Sequence, residues 1–461
     1  MSRLAHVLCA ALLIGPLSVP AAGQAPADVE ALHGDLFSTD TATRDAALEQ
    51  LRALAGAGDA EAAGILSRQF DEDGDRQAAI DILGPAAAAG DIPTIRRLTW
   101  LLRDSGADAA DILDTLRLGW EAGDVVSGMQ YARTLMRAED PDKRRTARQV
   151  YEAAAALPGF TAWSDLARMR KTGSGGPADP EGAFEATRNA AEAGDAWSSL
   201  HLGRMQMNGA GTAPDPAAAL ESFQAAMAGE GEVVATARRE LAAGHLYRKF
   251  GPLSDPAAGL DLAADGVAAG DAGMVRLVVT MRAEKGALGQ RAEALRTEAL
   301  ARAEKAAAAG DERAARSLFD YWHRRATRSA QASPEAAAIV AAHGALLDRP
   351  RLVRHELVAT APRLQGRAAR GTAVAQLETL EGKAYAAALV DLRPHRMLYI
   401  QAVQSRLAEA GFYTGAIDGL MGPRTQRAID AFCTRYGVEA ACRKGLYSWQ
   451  FGEAVGTHLA P

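Results

Sequence analysis

One two-residue phrase constrains this chain more than any other: Gly-Asp, recurring after runs rich in alanine. It starts at positions 58, 90, 123, 194, 270 and 310, in settings such as "LAGAGDAEAAGIL", "AAAAGDIPTIRRL", "AAEAGDAWSSLHL" and "KAAAAGDERAARSL". Adjacent copies lie about 32 to 40 residues apart and the wider gaps are near twice that, as expected of a helical repeat. A second phrase, Asp-Pro, stands at 140, 179, 215 and 255. The stretches "DLARMRKTGSGGPADPEGAF" (165–184) and "HLGRMQMNGAGTAPDPAAAL" (201–220) align without a gap at an offset of 36.

The chemistry of these phrases dictates what each unit does. Asp before Pro starts a helix, because the carboxylate caps the free amides of the first turn and Pro at the first helical position needs no amide partner. The alanine run then ends at a glycine in the left-handed conformation, and the aspartate after it can cap the next helix. Each unit therefore predicts two antiparallel helices. Alanine at the contacts lets helix axes approach closely, and no single pair can bury its face alone, so stacked copies share a core and form a curved solenoid. Aromatics make up only 5% of the chain, which also favours packed helices over a sheet. The expected fold is all-α: an α-solenoid of helix-pair repeats over 28–385, then a small three-helix domain over 395–461.

The ends and the charge say where such a chain works. "MSR" followed by "LCAALLIGPLSV" reads as a secretory signal, residues 1–23, with small residues offering cleavage after Ala21 or Gly23. A retained anchor is the competing reading, and lipid attachment at Cys9 is disfavoured by the bulky Leu8 before it. No later segment approaches the roughly 18 apolar residues of a spanning helix, so an exported, periplasmic protein without a membrane span in its mature chain is expected. Cys433 and Cys442 then remain, and two near cysteines in an exported chain point to a disulfide. A metal pair lacking convincing partners, or two free thiols, are the other readings. The net charge of −6 conceals a basic stretch, residues 291–372, with 15 basic against 9 acidic residues. It reads either as an anion-facing surface or as arginines solvating outer helix faces. Nucleic acid is not expected as a partner of an exported acidic chain.

The last domain is punctuated differently. "MLYIQAVQSRLAEAG" is a helix with Leu398, Val403 and Leu407 on one face. "FYTGAIDGLMG" is turn chemistry, and "GPRTQRAIDAF" restarts a helix with Pro423 in its first turn and Ala428, Ile429 and Phe432 facing inward. "YSWQFGEAVGTHL" supplies a third helix.

Two resemblances rest on these residues. Gly209, Gly211, Asp215, Pro216, Ala219, Phe223 and Ala226, with their copies one unit earlier, resemble the Sel-one-like subclass of tetratricopeptide-type repeats. That class implies scaffolding of envelope proteins on a concave solenoid surface. Gln404, Leu407, Gly411, Phe412, Tyr413, Gly415, Ile417, Asp418, Gly419, Gly422, Thr425, Ala428, Ile429 and Phe432 resemble the peptidoglycan-binding-like domain. It implies peptidoglycan as a partner, with Tyr413, Asp418, Arg424 and Thr425 as candidate contacts. Tyr413 could stack on a sugar or donate a bond and Arg424 could grip a stem-peptide carboxylate, whereas Asp418 and the glycines shape the turn. The family usually carries Gln where this chain has Cys433.

Catalytic patterns are missing from the sequence. Lys171-Thr172-Gly173 matches one element of penicillin-recognising enzymes, but no S-x-x-K accompanies it. No G-x-S-x-G, G-x-x-x-x-G-K-[ST] or H-E-x-x-H occurs, and the histidines are scattered. The expectation is a non-enzymatic adaptor with no cofactor and no metal, docked on peptidoglycan and holding partner proteins. The alternatives are a periplasmic scaffold for polysaccharide export or envelope assembly without wall binding, and a wall-remodelling hydrolase or its accessory.

Overall fold

The computed structural model describes residues 28–281, 286–329 and 333–461, and the secretory segment expected over 1–23 lies outside them. The chain forms two compact units that divide between Val234 and Ala235. All regular structure among the described residues is helical.

The first unit begins with α1 (Val29–Asp35), α2 (Thr41–Gly56), α3 (Ala60–Glu72) and the short α4 (Arg76–Asp81) and α5 (Gly84–Ala88). It continues with α6 (Ile92–Asp104), α7 (Ala109–Glu121), α8 (Val125–Met136), α9 (Pro141–Ala154), α10 (Trp163–Thr172), α11 (Pro180–Glu192), α12 (Ala196–Asn208) and α13 (Pro216–Ala226). Successive helices pack on one another, as helix-pair repeats should.

The Gly-Asp junctions share one geometry. At all six the glycine φ lies between 75° and 97°. The aspartate N–H donates to the carbonyl five residues back at 2.9–3.2 Å, closing the finished helix. Its carboxylate accepts from an amide two or three residues ahead at 2.8–3.2 Å, opening the next one. Gly74–Asp75 builds the same junction without an alanine run, with Asp75 capping the Ala78 amide at 3.1 Å. Asp140, Asp179, Asp215 and Asp255 cap the helices that begin at the following proline.

The Gly-x-Gly loops have a separate purpose, which is stacking. A Cβ on Gly175 would sit 2.2 Å from the Arg144 carbonyl oxygen, and one on Gly211 would sit 2.0 Å from that of Pro180. Each loop therefore presses on the first turn of the Asp-Pro helix one repeat earlier. Inside the repeat, Ala183, Ala186, Ala219, Phe223 and Ala226 are buried, and Gly203 gives the Phe223 ring its space. Arginines tie neighbouring repeats: Arg96 holds the buried Asp124 through Nε at 3.0 Å and Nη2 at 2.6 Å. Burial works to raise the Asp124 carboxyl, but hydrogen bonds from Arg96 and Ser127 outweigh it and hold it at about 2.

The second unit contains most of α14 (Glu232–Leu246), then α15 (Pro256–Ala268), α16 (Ala272–Thr280), α17 (Gly286–Ala308), α18 (Glu312–Ser329) and α19 (Pro334–His343). It ends with α20 (Arg349–Thr360), α21 (Gly366–Leu377), α22 (Gly382–Asp391), α23 (Arg396–Glu409), α24 (Pro423–Tyr436), the single-turn α25 (Glu439–Cys442) and α26 (Trp449–Leu459). One apolar core runs from Val353 and Leu357 of α20 through Val374, Leu377, Tyr385 and Leu389 into Leu398, Val403, Phe432, Phe451 and Val455. The terminal helices thus close on the last repeats and share their core. Two glycines permit the contact. A Cβ on Gly456 would meet Ala386 at 2.4 Å and one on Gly452 would meet Val390 at 3.1 Å, so α26 lies close on α22.

Candidate functional site

The terminal turn is assembled around one side chain. Gln404 sits on α23 three residues before Leu407 and four after Ile400, on a face that is apolar apart from Gln401, and it is fully buried. Its Oε1 accepts from the Asp418 amide at 3.0 Å and the Gly419 amide at 2.8 Å. Its Nε2 faces four oxygens: Leu420 O at 3.0 Å, Thr425 Oγ1 at 3.1 Å, Asp418 Oδ1 at 3.2 Å and Tyr413 Oη at 3.3 Å. An amide nitrogen has two hydrogens to share among them, so the four acceptors are drawn tightly to one point. Glycine fits where the chain crowds in. Gly419 has φ +79° and approaches the Met397 carbonyl, and Gly415 leaves space for the Tyr413 hydroxyl.

This geometry places the four candidate contacts differently. Tyr413 is 8% exposed and its hydroxyl donates to Ala416 O at 2.9 Å, so the ring offers no open face to a sugar. Thr425 is 1% exposed and belongs to the Gln404 cluster. Asp418 is turned into the loop, accepting from the Leu420 amide at 2.9 Å; that bond, with Gln404 behind it, holds its carboxyl below the usual value. Arg424 stands apart. It is exposed in the first turn of α24, four and three residues after Leu420 and Met421, which are 57% and 40% exposed. Three of the four residues build the turn, and one faces solvent.

Cys433 and Cys442 are joined as a disulfide that ties α24 to α25. Behind it, Phe412, Phe432 and Phe451 meet edge to face in the core.

Sequence reasoning missed how the repeats brace this turn. Arg370 of α21 is buried, its Nε donating to Gln401 Oε1 at 3.0 Å and its Nη2 to Asp418 O at 2.8 Å. Gln401 Nε2 donates back to Arg367 O at 3.1 Å. Glutamines at 401 and 404 on the buried side of α23 are the signal that could have revealed this: a buried amide must find partners. Among the described residues no group of three or more His, Cys, Asp or Glu side chains is arranged to hold a metal ion, and no helix is long and apolar enough to cross a membrane.

Residues 399–440 match the family described as a putative peptidoglycan binding domain. No curated protein sequence matches the chain. Among solved structures, the chain is similar to a protective antigen present in uropathogenic Escherichia coli strains and displaying an SLR fold. That likeness has a TM-score of 0.57 at 18% identity and covers 96% of this chain and 97% of that one. A Sel1 repeat protein from Oxalobacter formigenes gives a TM-score of 0.33 at 20% identity, covering 48% of this chain and 99% of that one. The first likeness shows the fold: Sel1-like helix-pair repeats, here carrying a peptidoglycan-binding-type segment near the C-terminus.

Proposed function

We propose that this chain is an exported, non-enzymatic adaptor of the periplasm. Its C-terminal domain, 395–461, docks on peptidoglycan, and its helical repeats hold one or more envelope proteins on their surface. The observation that carries the reading is the family match over 399–440, on a turn that Gln404 and Arg370 hold from its inner side. Such bonding leaves the outer side of the turn free for a ligand. Arg424 is the residue placed to form paired bonds with a stem-peptide carboxylate, and Leu420 and Met421 give it an apolar flank. Neither role calls for a cofactor.

The test is co-sedimentation of the full chain with purified sacculi, since the C-terminal helices share their core with α20 to α22. The wild type is expected in the pellet, and Arg424→Gln should weaken binding about tenfold, or about 1.4 kcal/mol, with an unchanged melting temperature. A wild-type chain that stays in the supernatant at every salt concentration sinks the wall-docking reading. A second reading draws on that shared core: the domain serves as a cap on the repeats, in a scaffold for polysaccharide export or envelope assembly. A pull-down that recovers envelope proteins without wall material would favour it.

A further inference from the structure

A recess of about 660 Å³ opens in the second unit where α22 turns into α23. Arg324, Arg354, Arg393, Arg396, Asp391 and Tyr447 line it. Four guanidiniums thus surround a single carboxylate, and that carboxylate is already engaged. Asp391 Oδ2 accepts from Arg354 Nε at 2.7 Å and lies 2.9 Å from Nε2 of the buried His323.

Arg393 and Arg396 form no ion pair with a carboxylate among the described residues, yet both are held in place. The Arg393 Nε donates to Val390 O at 2.7 Å and its Nη1 to Tyr447 O at 3.4 Å. The Arg396 guanidinium lies over the Tyr447 ring, 5.1 Å from its centre. A guanidinium has five N–H groups, so two backbone carbonyls leave most of the Arg393 donors available, and a ring contact leaves all those of Arg396. Side chains fixed in this way lose little freedom when a ligand arrives. Two unneutralised forks in one recess match an anion with several oxygens.

We infer that this recess binds a small, multiply charged oxyanion, a diphosphate or a dicarboxylate, gripped by Arg393 and Arg396. No residue of the Asp418 turn lines the recess, and the inference holds whether or not the chain binds the wall.

Calorimetric titration of the full chain at low ionic strength tests it, with inorganic diphosphate in one arm and glutarate in the other. Saturable one-to-one binding is expected in at least one arm, and the tighter arm identifies phosphate or carboxylate as the group recognised. Arg396→Gln and Arg393→Gln should each weaken it about tenfold or more. Arg188→Gln removes the same charge from an exposed ion pair on α11 and should change it less than about twofold. The inference is overturned if neither probe saturates, if neither arginine variant weakens binding, or if Arg188→Gln weakens it equally. Because Arg396 is exposed and, among the described residues, makes only the ring contact, its variant keeps the test open should Arg393→Gln fail to fold.

Discussion

The repeats and the terminal turn solve the same problem, stopping one helix and starting another, by opposite means. In the repeats each junction is local: one glycine, one aspartate, bonds reaching five residues back and three ahead, and the device recurs along the chain. In the terminal turn the same task depends on Gln404, whose bonds span 9 to 21 residues and converge from both sides of the loop. Local junctions are redundant, whereas a hub fails all at once.

The sharpest way to break that comparison is to remove the hub. Gln404→Leu keeps the volume but orphans the Asp418 and Gly419 amides and should cost about 3–4 kcal/mol. Hydrogen exchange should show protection lost across 404–425 while the Gly-Asp junctions of the first unit keep theirs. Equal loss in both places would mean that the hub and the junctions are not independent. Within the repeats, Gly211→Ala should cost about 2–3 kcal/mol, because its Cβ would strike the Pro180 carbonyl of the neighbouring repeat at a φ of +75°. Gly123→Ala, at φ +90° with nothing within 4 Å, should cost only about 1 kcal/mol. Paired urea unfolding curves check the difference, and equal losses would contradict a stacking role for the Gly-x-Gly loop.

The last expected effect is electrostatic. Asp124 titrates at about 2 in the folded chain against an ordinary value of 3.8. A lowered folded value means stability that is present above pH 4 and lost as the pH falls towards 2. The stability gap between wild type and Asp124→Asn should therefore be constant above about pH 4 and narrow below it. A gap that is flat down to pH 2 would remove the Arg96–Asp124 tie from the account of how repeats hold together.

The same contrast explains what the sequence could disclose. Gly-Asp and Asp-Pro were legible because each acts on residues next to it, so the phrase alone predicts its bonds. The disulfide was legible from the expected export and from the short separation of the two cysteines, nine positions apart. Tyr413 and Thr425 were not, because a turn pattern looks the same whether a side chain faces solvent or a buried glutamine. The bracing by Arg370 was also hidden, since its bond to the Asp418 carbonyl joins positions 48 residues apart. Gly74–Asp75 lacked the alanine run that marks its siblings, although its aspartate performs the same two tasks.

The close seating of α26 on α22 bears on mechanics. With Gly452 and Gly456 against Val390 and Ala386, the terminal domain is welded to the last repeats and has no slack tether. A wall contact made through the outer side of its turn would transmit load directly into the packed helices. It would also set those helices at one standoff and one orientation, where a flexible linker would let them sweep a volume. Under the proposed wall docking the chain would act as a bracket and measure distance, and lengthening the four residues between Asp391 and Arg396 would turn it into a leash.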